Sequence, residues 1–321
     1  MNGSLQNQHP RPNMNRHQMQ SGIVVAISVL FLAGPSTFAG TESGNRTALL
    51  VVAHGSRDTN WNARVIETVE RLDWPGPKGV AFLTGKPPEH ALPRVASQLD
   101  QSAVRRIAVI PLLISSFSDH YEEIRYYVGQ RSDMPGHAEE PAPRVKSAAA
   151  QEHQDASPLK TKAKLLLTPA MDSHPLLTRI LSDQVTALVK EARSESLVLV
   201  AHGPNDEAEN ERWLEHLRIH ARRLQEQFGF RRVTALTLRD DAPAPIRNAA
   251  TEQLRSTVTN AGADSRVLVL PVLISVGPLQ KEIRERLNGV NYVMTEGGVA
   301  THPLTVEWIS QQGKHVAAHE D

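Results

Sequence analysis

An apolar run that ends in histidine and glycine occurs twice in this chain, as Leu49-Leu50-Val51-Val52-Ala53-His54-Gly55-Ser56-Arg57 and as Leu197-Val198-Leu199-Val200-Ala201-His202-Gly203-Pro204-Asn205. Unbroken apolar runs closed by turn residues read as strands buried on both faces, each delivering a histidine at its carboxyl end. A second pair of runs, Ile107 to Ser115 and Val267 to Ser275, follows in the same order. A third pair, Ser173-His174-Pro175-Leu176 and Thr301-His302-Pro303-Leu304, completes the series. Three landmarks repeated in one order make the chain an internal duplication, and 321 residues leave room for about two domains.

Amphipathic segments separate the apolar ones. In the first half the pattern predicts strands at 48–53, 79–83, 106–111 and 164–168, with helices at 60–72, 91–99 and 119–130. In the second it predicts strands near 196–201, 232–237, 266–271 and 291–295. Buried strands alternating with helices give a doubly wound α/β architecture with parallel sheets, whose ligands sit at the carboxyl ends of the strands. The domains expected are 45–193 and 194–316. The second and third landmarks stand about twice as far apart in the first half as in the second. The excess lies at 131–162, rich in Pro, Ala, Glu, Gln and Lys, and reads as a mobile surface insertion in which His137 and His153 are solvated.

The N-terminus has its own pattern. Ile23 to Ala33 is an apolar run too short to span a bilayer comfortably, preceded by Arg11 and Arg16 and followed by Thr37-Phe38-Ala39 before Gly40. Residues 1–39 are therefore expected to be a cleaved signal peptide that sends the protein to the periplasm or beyond and leaves no membrane span. The alternative is an uncleaved anchor formed by 23–34. With 35 acidic and 35 basic residues, nothing points to a nucleic-acid partner. The absence of cysteine excludes disulfides, thiolate metal sites and thiol nucleophiles, which leaves 14 histidines and the carboxylates as metal ligands.

Two of those histidines are placed for chemistry. His54 follows the strand at 48–53, and His120 follows the strand at 106–111 within Ser115-Ser116-Phe117-Ser118-Asp119-His120-Tyr121-Glu122-Glu123-Ile124. Strand ends that neighbour one another in a doubly wound sheet bring such residues to one point. Neutral imidazole binds borderline divalent metals, and its unperturbed pKa of about 6.5 suits proton transfer near neutrality.

These motifs resemble those of a known family, the class II tetrapyrrole chelatases of the sirohydrochlorin cobaltochelatase and ferrochelatase type (CbiX/SirB-like). The resemblance rests on Ala53-His54-Gly55-Ser56-Arg57, on Val109-Ile110-Pro111-Leu112-Leu113-Ile114 with His120 and Glu122-Glu123-Ile124 behind it, and on the repeated His-Pro-Leu. It implies two tandem flavodoxin-like domains and ATP-independent insertion of Co²⁺ or Fe²⁺, as substrate and with no organic cofactor, into sirohydrochlorin or a related tetrapyrrole. It also implies that His54 and His120 hold the metal and accept the pyrrole protons. Ser56, Arg57, Ser115, Ser116, His202 and Asp240 are candidate substrate contacts. Because the duplication supplies within one chain what single-domain relatives obtain by dimerising, a monomer is expected.

The chain departs from the family pattern in two places. The second half keeps His202, but Leu279 stands nearest the position of His120. Relatives often carry a glutamate just after the second strand, where this chain reads Leu83-Thr84-Gly85-Lys86-Pro87-Pro88 and Glu89 is the nearest carboxylate. In the second half Arg239-Asp240-Asp241 fills that loop, either facing the cleft or as a solvated turn. His174 and His302 read as helix-entry residues before proline. Glu122 and Glu123 either orient His120 or lie on a helix surface. Sirohydrochlorin is metallated in the cytosol, whereas residues 1–39 read as an export signal. That conflict keeps open an exported metal- or tetrapyrrole-binding protein without turnover.

Overall fold

The computed structural model describes residues 47–85, 87–135 and 157–319. The first half runs β1 (Thr47–Ala53), α1 (Thr59–Glu70), β2 (Lys78–Phe82), α2 (Leu92–Asp100), β3 (Arg106–Leu112), α3 (Asp119–Tyr127), β4 (Lys164–Leu167) and α4 (Pro175–Thr186). The second repeats the order with β5 (Glu195–Ala201), α5 (Glu207–Phe228), β6 (Arg232–Thr237), α6 (Ala244–Gly262), β7 (Arg266–Val272), α7 (Pro278–Arg286), β8 (Val293–Met294) and α8 (Pro303–Ala318). Each half builds one four-stranded parallel sheet, in the orders β2-β1-β3-β4 and β6-β5-β7-β8. The registers correspond: Val51 sits between Val80 and Ile110, and Leu199 between Ala235 and Leu270.

The period of two along a strand decides which core each side chain enters. Leu49, Val51 and Ala53 of β1 point into the same cluster as Leu197, Leu199 and Ala201 of β5, so one face of each sheet builds a shared core. Leu50 and Val52 face a second cluster against α2 and α3, and Val198 and Val200 face a third against α6 and α7. The terminal helix of each half crosses to the other sheet. The helix α4 packs on β7, and α8 packs on β1 and β3. At Gly313 of α8 a Cβ would lie 2.7 Å from Leu49 Cδ2, so the missing side chain lets the helix sit on the first sheet.

Helix starts follow capping chemistry. Asp58, Ser118 and Asp206 accept from the first-turn amides of α1, α3 and α5. His174 and His302 accept through Nδ1 from the amides of Leu176 and Leu304, with proline opening α4 and α8. The helix expected over 119–130 stops at Tyr127, because Gly129 turns the chain out at φ +75°. The strand expected at 291–295 contracts to Val293–Met294. The sequence-expected insertion is anchored by Arg131, which bridges Glu122 and Asp133, and by the amides of Lys162 and Ala163 on the Asp100 carboxylate. Its His137 and His153, like the expected signal peptide, lie outside the described residues. Among those residues no helix is long and apolar enough to cross a membrane.

Candidate metal and tetrapyrrole site

His54 leaves the end of β1 on a loop with no room for side chains beneath it. Gly55 has φ +84°, and a Cβ there would meet the Thr84 carbonyl oxygen at 2.1 Å. The Thr84 amide and hydroxyl both donate to the His54 carbonyl, at 2.8 and 3.1 Å. Asn62 of α1 ties the loop from the other side: its carboxamide oxygen accepts from Ser56 N, and its nitrogen donates to Ser56 O and Gly85 O. Asn62 is buried, and the sequence reading missed it. A signal existed, because Asn210 stands at the same step after His202 and accepts from the Thr237 hydroxyl at 2.7 Å.

His120, the second residue of α3, meets His54 edge to face with ring centroids 4.3 Å apart. Its Nδ1 lies 3.7 Å from the carboxylate of Glu123, which is buried. Glu122 turns away to Arg125 and Arg131 on the surface, so the two adjacent glutamates divide the roles left open by the sequence. Burial first, and the neighbouring His120 second, hold the His54 pKa down to about 3, which keeps its lone pair available across the neutral range.

The two histidines open onto a cavity of about 540 Å³ between the halves, within the range of small-molecule sites of about 300–1,000 Å³. Its walls are largely apolar, with Trp61, Ile114, Trp213 and Leu279 among them. Leu279 occupies in α7 the helix position that His120 occupies in α3, so the second half offers a flat apolar wall where the first offers imidazole.

Ser56, Arg57, His202 and Asp240 also line the cavity, whereas Ser115 and Ser116 are outside its lining. The reason is visible in their bonds. Ser116 donates its amide and hydroxyl to the Asp172 carboxylate at 2.7 Å each and accepts from Ala170 N, and Ser115 Oγ accepts from Phe117 N. Both serines hold the loop that launches α3. Asp172, at φ +42°, is a second residue missed by the sequence reading. Glu89 sits in a short 3-10 turn, Pro88–His90, away from the cavity, as do His174 and His302 at their helix starts.

At the second half's edge of the cavity, His202 Nε2 lies 3.0 Å from Asp241 and 3.4 Å from Asp240. Burial alone would lower the His202 pKa, but the hydrogen bond to Asp241 and the charges of both aspartates outweigh it and hold it up to about 9. Burial raises the Asp240 carboxyl, and the bond to His202 lowers that of Asp241. His54 also feels the charges of His202 and Asp241, so the two walls act on one another.

Two parallel-sheet domains enclosing an apolar cavity with paired histidines on one wall define a chelatase-type fold. Residues 48–188 match the CbiX family, and that match supports a CbiX/SirB-like class II chelatase family for the first half of the duplication. Among solved structures, SirB from Bacillus subtilis with Fe³⁺ aligns with a TM-score of 0.57 at 16% identity, covering 85% of this chain and 96% of that one. The cobalt complex of the sirohydrochlorin chelatase SirB from Bacillus subtilis subspecies spizizenii gives 0.57 at 15%, covering 84% and 95%. A multi-domain protein from Deinococcus radiodurans, described as structurally similar to chelatases, gives 0.50 at 16%, covering 83% of this chain and 54% of that one. No curated protein matches the chain in sequence.

Proposed function

We propose that the protein inserts Co²⁺ or Fe²⁺ into sirohydrochlorin or a closely related tetrapyrrole without ATP. The observation that carries the reading is the pair of touching imidazoles, His54 and His120, at an apolar cavity in a chain whose first half matches CbiX. Insertion exchanges one divalent ion for two pyrrole N–H protons, so the site needs ligands that can let the metal go and a base beside them. Neutral imidazole offers both, and the apolar walls suit a planar macrocycle. Arg57, at the cavity edge, is suited to pair with a carboxylate of the tetrapyrrole. The metal-bound SirB structures support the reading by fold alone.

The test is the absorbance change of sirohydrochlorin with Co²⁺, with and without the full chain. We expect acceleration by the protein and its loss in His54→Ala and in His120→Ala. Metal or tetrapyrrole binding that depends on these histidines, with no acceleration, would replace the enzyme by a binding protein. Residues 1–39 favour that second reading, because their export pattern separates the protein from a cytosolic substrate. Cell fractionation and N-terminal sequencing of the recovered protein check export: a mature start near residue 40 in the periplasm is expected, and an intact cytosolic chain overturns it. We further propose a monomer, to be read by light scattering.

A further inference from the structure

We propose that His202, Asp240 and Asp241 form a second divalent-cation site, at the second half's edge of the cavity lined by His54 and His120. It stands whether or not the protein turns over a tetrapyrrole. The orientation of His202 is set by a hydrogen bond: Nδ1 lies 2.7 Å from the Gly203 carbonyl oxygen, which can only accept, so Nδ1 carries the proton. Nε2 is then the atom presented to Asp241 Oδ2 at 3.0 Å and Asp240 Oδ1 at 3.4 Å, and the proton with which it pairs to Asp241 is the one an incoming cation would displace. A backbone carbonyl behind one ring nitrogen with the other facing carboxylates is the usual setting of a metal-bound imidazole.

The spacing fits an ion. Donors held about 2.1 Å from a common metal stand about 3.0 Å apart at octahedral right angles and about 3.4 Å apart in a tetrahedron. The ligand atoms of all three residues lie within 4.8 Å of one another. Asp240 Oδ1 is buried and accepts no hydrogen bond, so the pairing of His202 with Asp241 leaves one acceptor unused.

The turn that carries the aspartates is braced before any ion arrives. Arg239, buried at φ +51°, donates its amide to the His202 carbonyl and its guanidinium to Pro204 O, Asn205 O and Glu207. In the first half the Thr84 amide makes the corresponding bond to His54, and there Gly85 follows where the second half has Asp240. The carboxylates therefore sit in the half that lacks the second histidine. One imidazole nitrogen with two carboxylate oxygens suits first-row ions such as Co²⁺, Ni²⁺ or Zn²⁺ over Ca²⁺ or Mg²⁺.

Calorimetric titration of the full chain with CoCl₂ tests this. The wild type should bind two equivalents, and His202→Ala/Asp241→Asn and His54→Ala/His120→Ala one each. Asp240→Asn, which keeps shape and volume, should weaken one of the two sites about tenfold or more. Circular dichroism confirms the fold of each variant. A wild type that binds one equivalent overturns the proposal, as does His202→Ala/Asp241→Asn that still binds two. The quadruple variant His54→Ala/His120→Ala/His202→Ala/Asp241→Asn should bind none; if it still binds one equivalent, both pairs serve one shared site and the proposal is overturned. Absence of chelatase turnover leaves these counts untouched.

Discussion

Gly55 tolerates no side chain, for reasons of both space and φ. A Cβ would come within 2.1 Å of Thr84 O and 2.8 Å of Phe82 Cβ, in a backbone conformation that L residues adopt at a cost. Gly55→Ala must push the His54 loop off the β2 loop. We expect a loss of about 2–4 kcal/mol in urea unfolding together with weaker Co²⁺ binding at the first-half histidines. Wild-type values for both would show that the loop yields without consequence. At this scale the sequence was informative about the residues that do chemistry and blind to those that hold them. His54 and His120 stand at strand ends and announce themselves by position. Asp172 acts on Ser116 from 56 residues away and leaves no local pattern, whereas Asn62, six residues from Ser56, was signalled only by its repeat as Asn210. Ser115 and Ser116 read as substrate contacts because they follow β3, but their hydrogen bonds commit them to the loop.

Among elements, α5 is the one whose stability depends on pH in a predictable window. His220 on its inner face is fully buried, with Nε2 2.8 Å from the Asp172 carbonyl oxygen and Nδ1 2.7 Å from the Thr178 hydroxyl. The carbonyl accepts, so Nε2–H donates. Thr178 also accepts from Arg223, so its own proton goes to Nδ1 and the ring is neutral. Burial holds its pKa down to about 4. The unfolded residue takes up its proton near pH 6.5, so between about 6.5 and 4 the unfolded state binds more protons and stability falls as the pH drops. The loss is complete below about pH 4 and amounts to about 3 kcal/mol. His220→Gln keeps a donor for Asp172 and removes the titration. Its stability deficit relative to wild type, measured by urea unfolding, should shrink as pH drops from 7 to 4; a constant deficit would refute the assignment. The strands on either side of α5 were legible in the sequence to within a few residues, whereas no bounds for α5 itself were read there. That α4 and α8 pack on each other's sheets was not legible either, because periodicity marks an apolar face without naming what covers it.

The helix exchange determines how the whole molecule unfolds. One core cluster runs from Leu49 and Trp61 through Leu199 and Trp213 to Trp308 and Val316, and the described residues fall in one compact unit. Other bonds cross the same boundary: Thr68 Oγ1 to Ala300 O, Arg64 to Val276 O, and Trp213 Nε1 to Phe117 O. Neither half can lose its sheet without exposing the apolar face of the other's terminal helix, so the duplicated chain should melt as one. Calorimetry should give a single transition with equal calorimetric and van't Hoff enthalpies. Gly313→Leu provides a directed test, because a side chain there meets Leu49 at 2.7 Å and the Trp74 ring at 3.1 Å, both in the first half, from a helix of the second. Overpacking of this kind costs about 1–3 kcal/mol. It should lower the one transition without splitting it, and Co²⁺ binding should weaken at both walls of the cavity, since the sheets that present them would move together. Two resolved transitions, or a shift confined to one half, would mean that the halves are independent and the cavity between them adjustable.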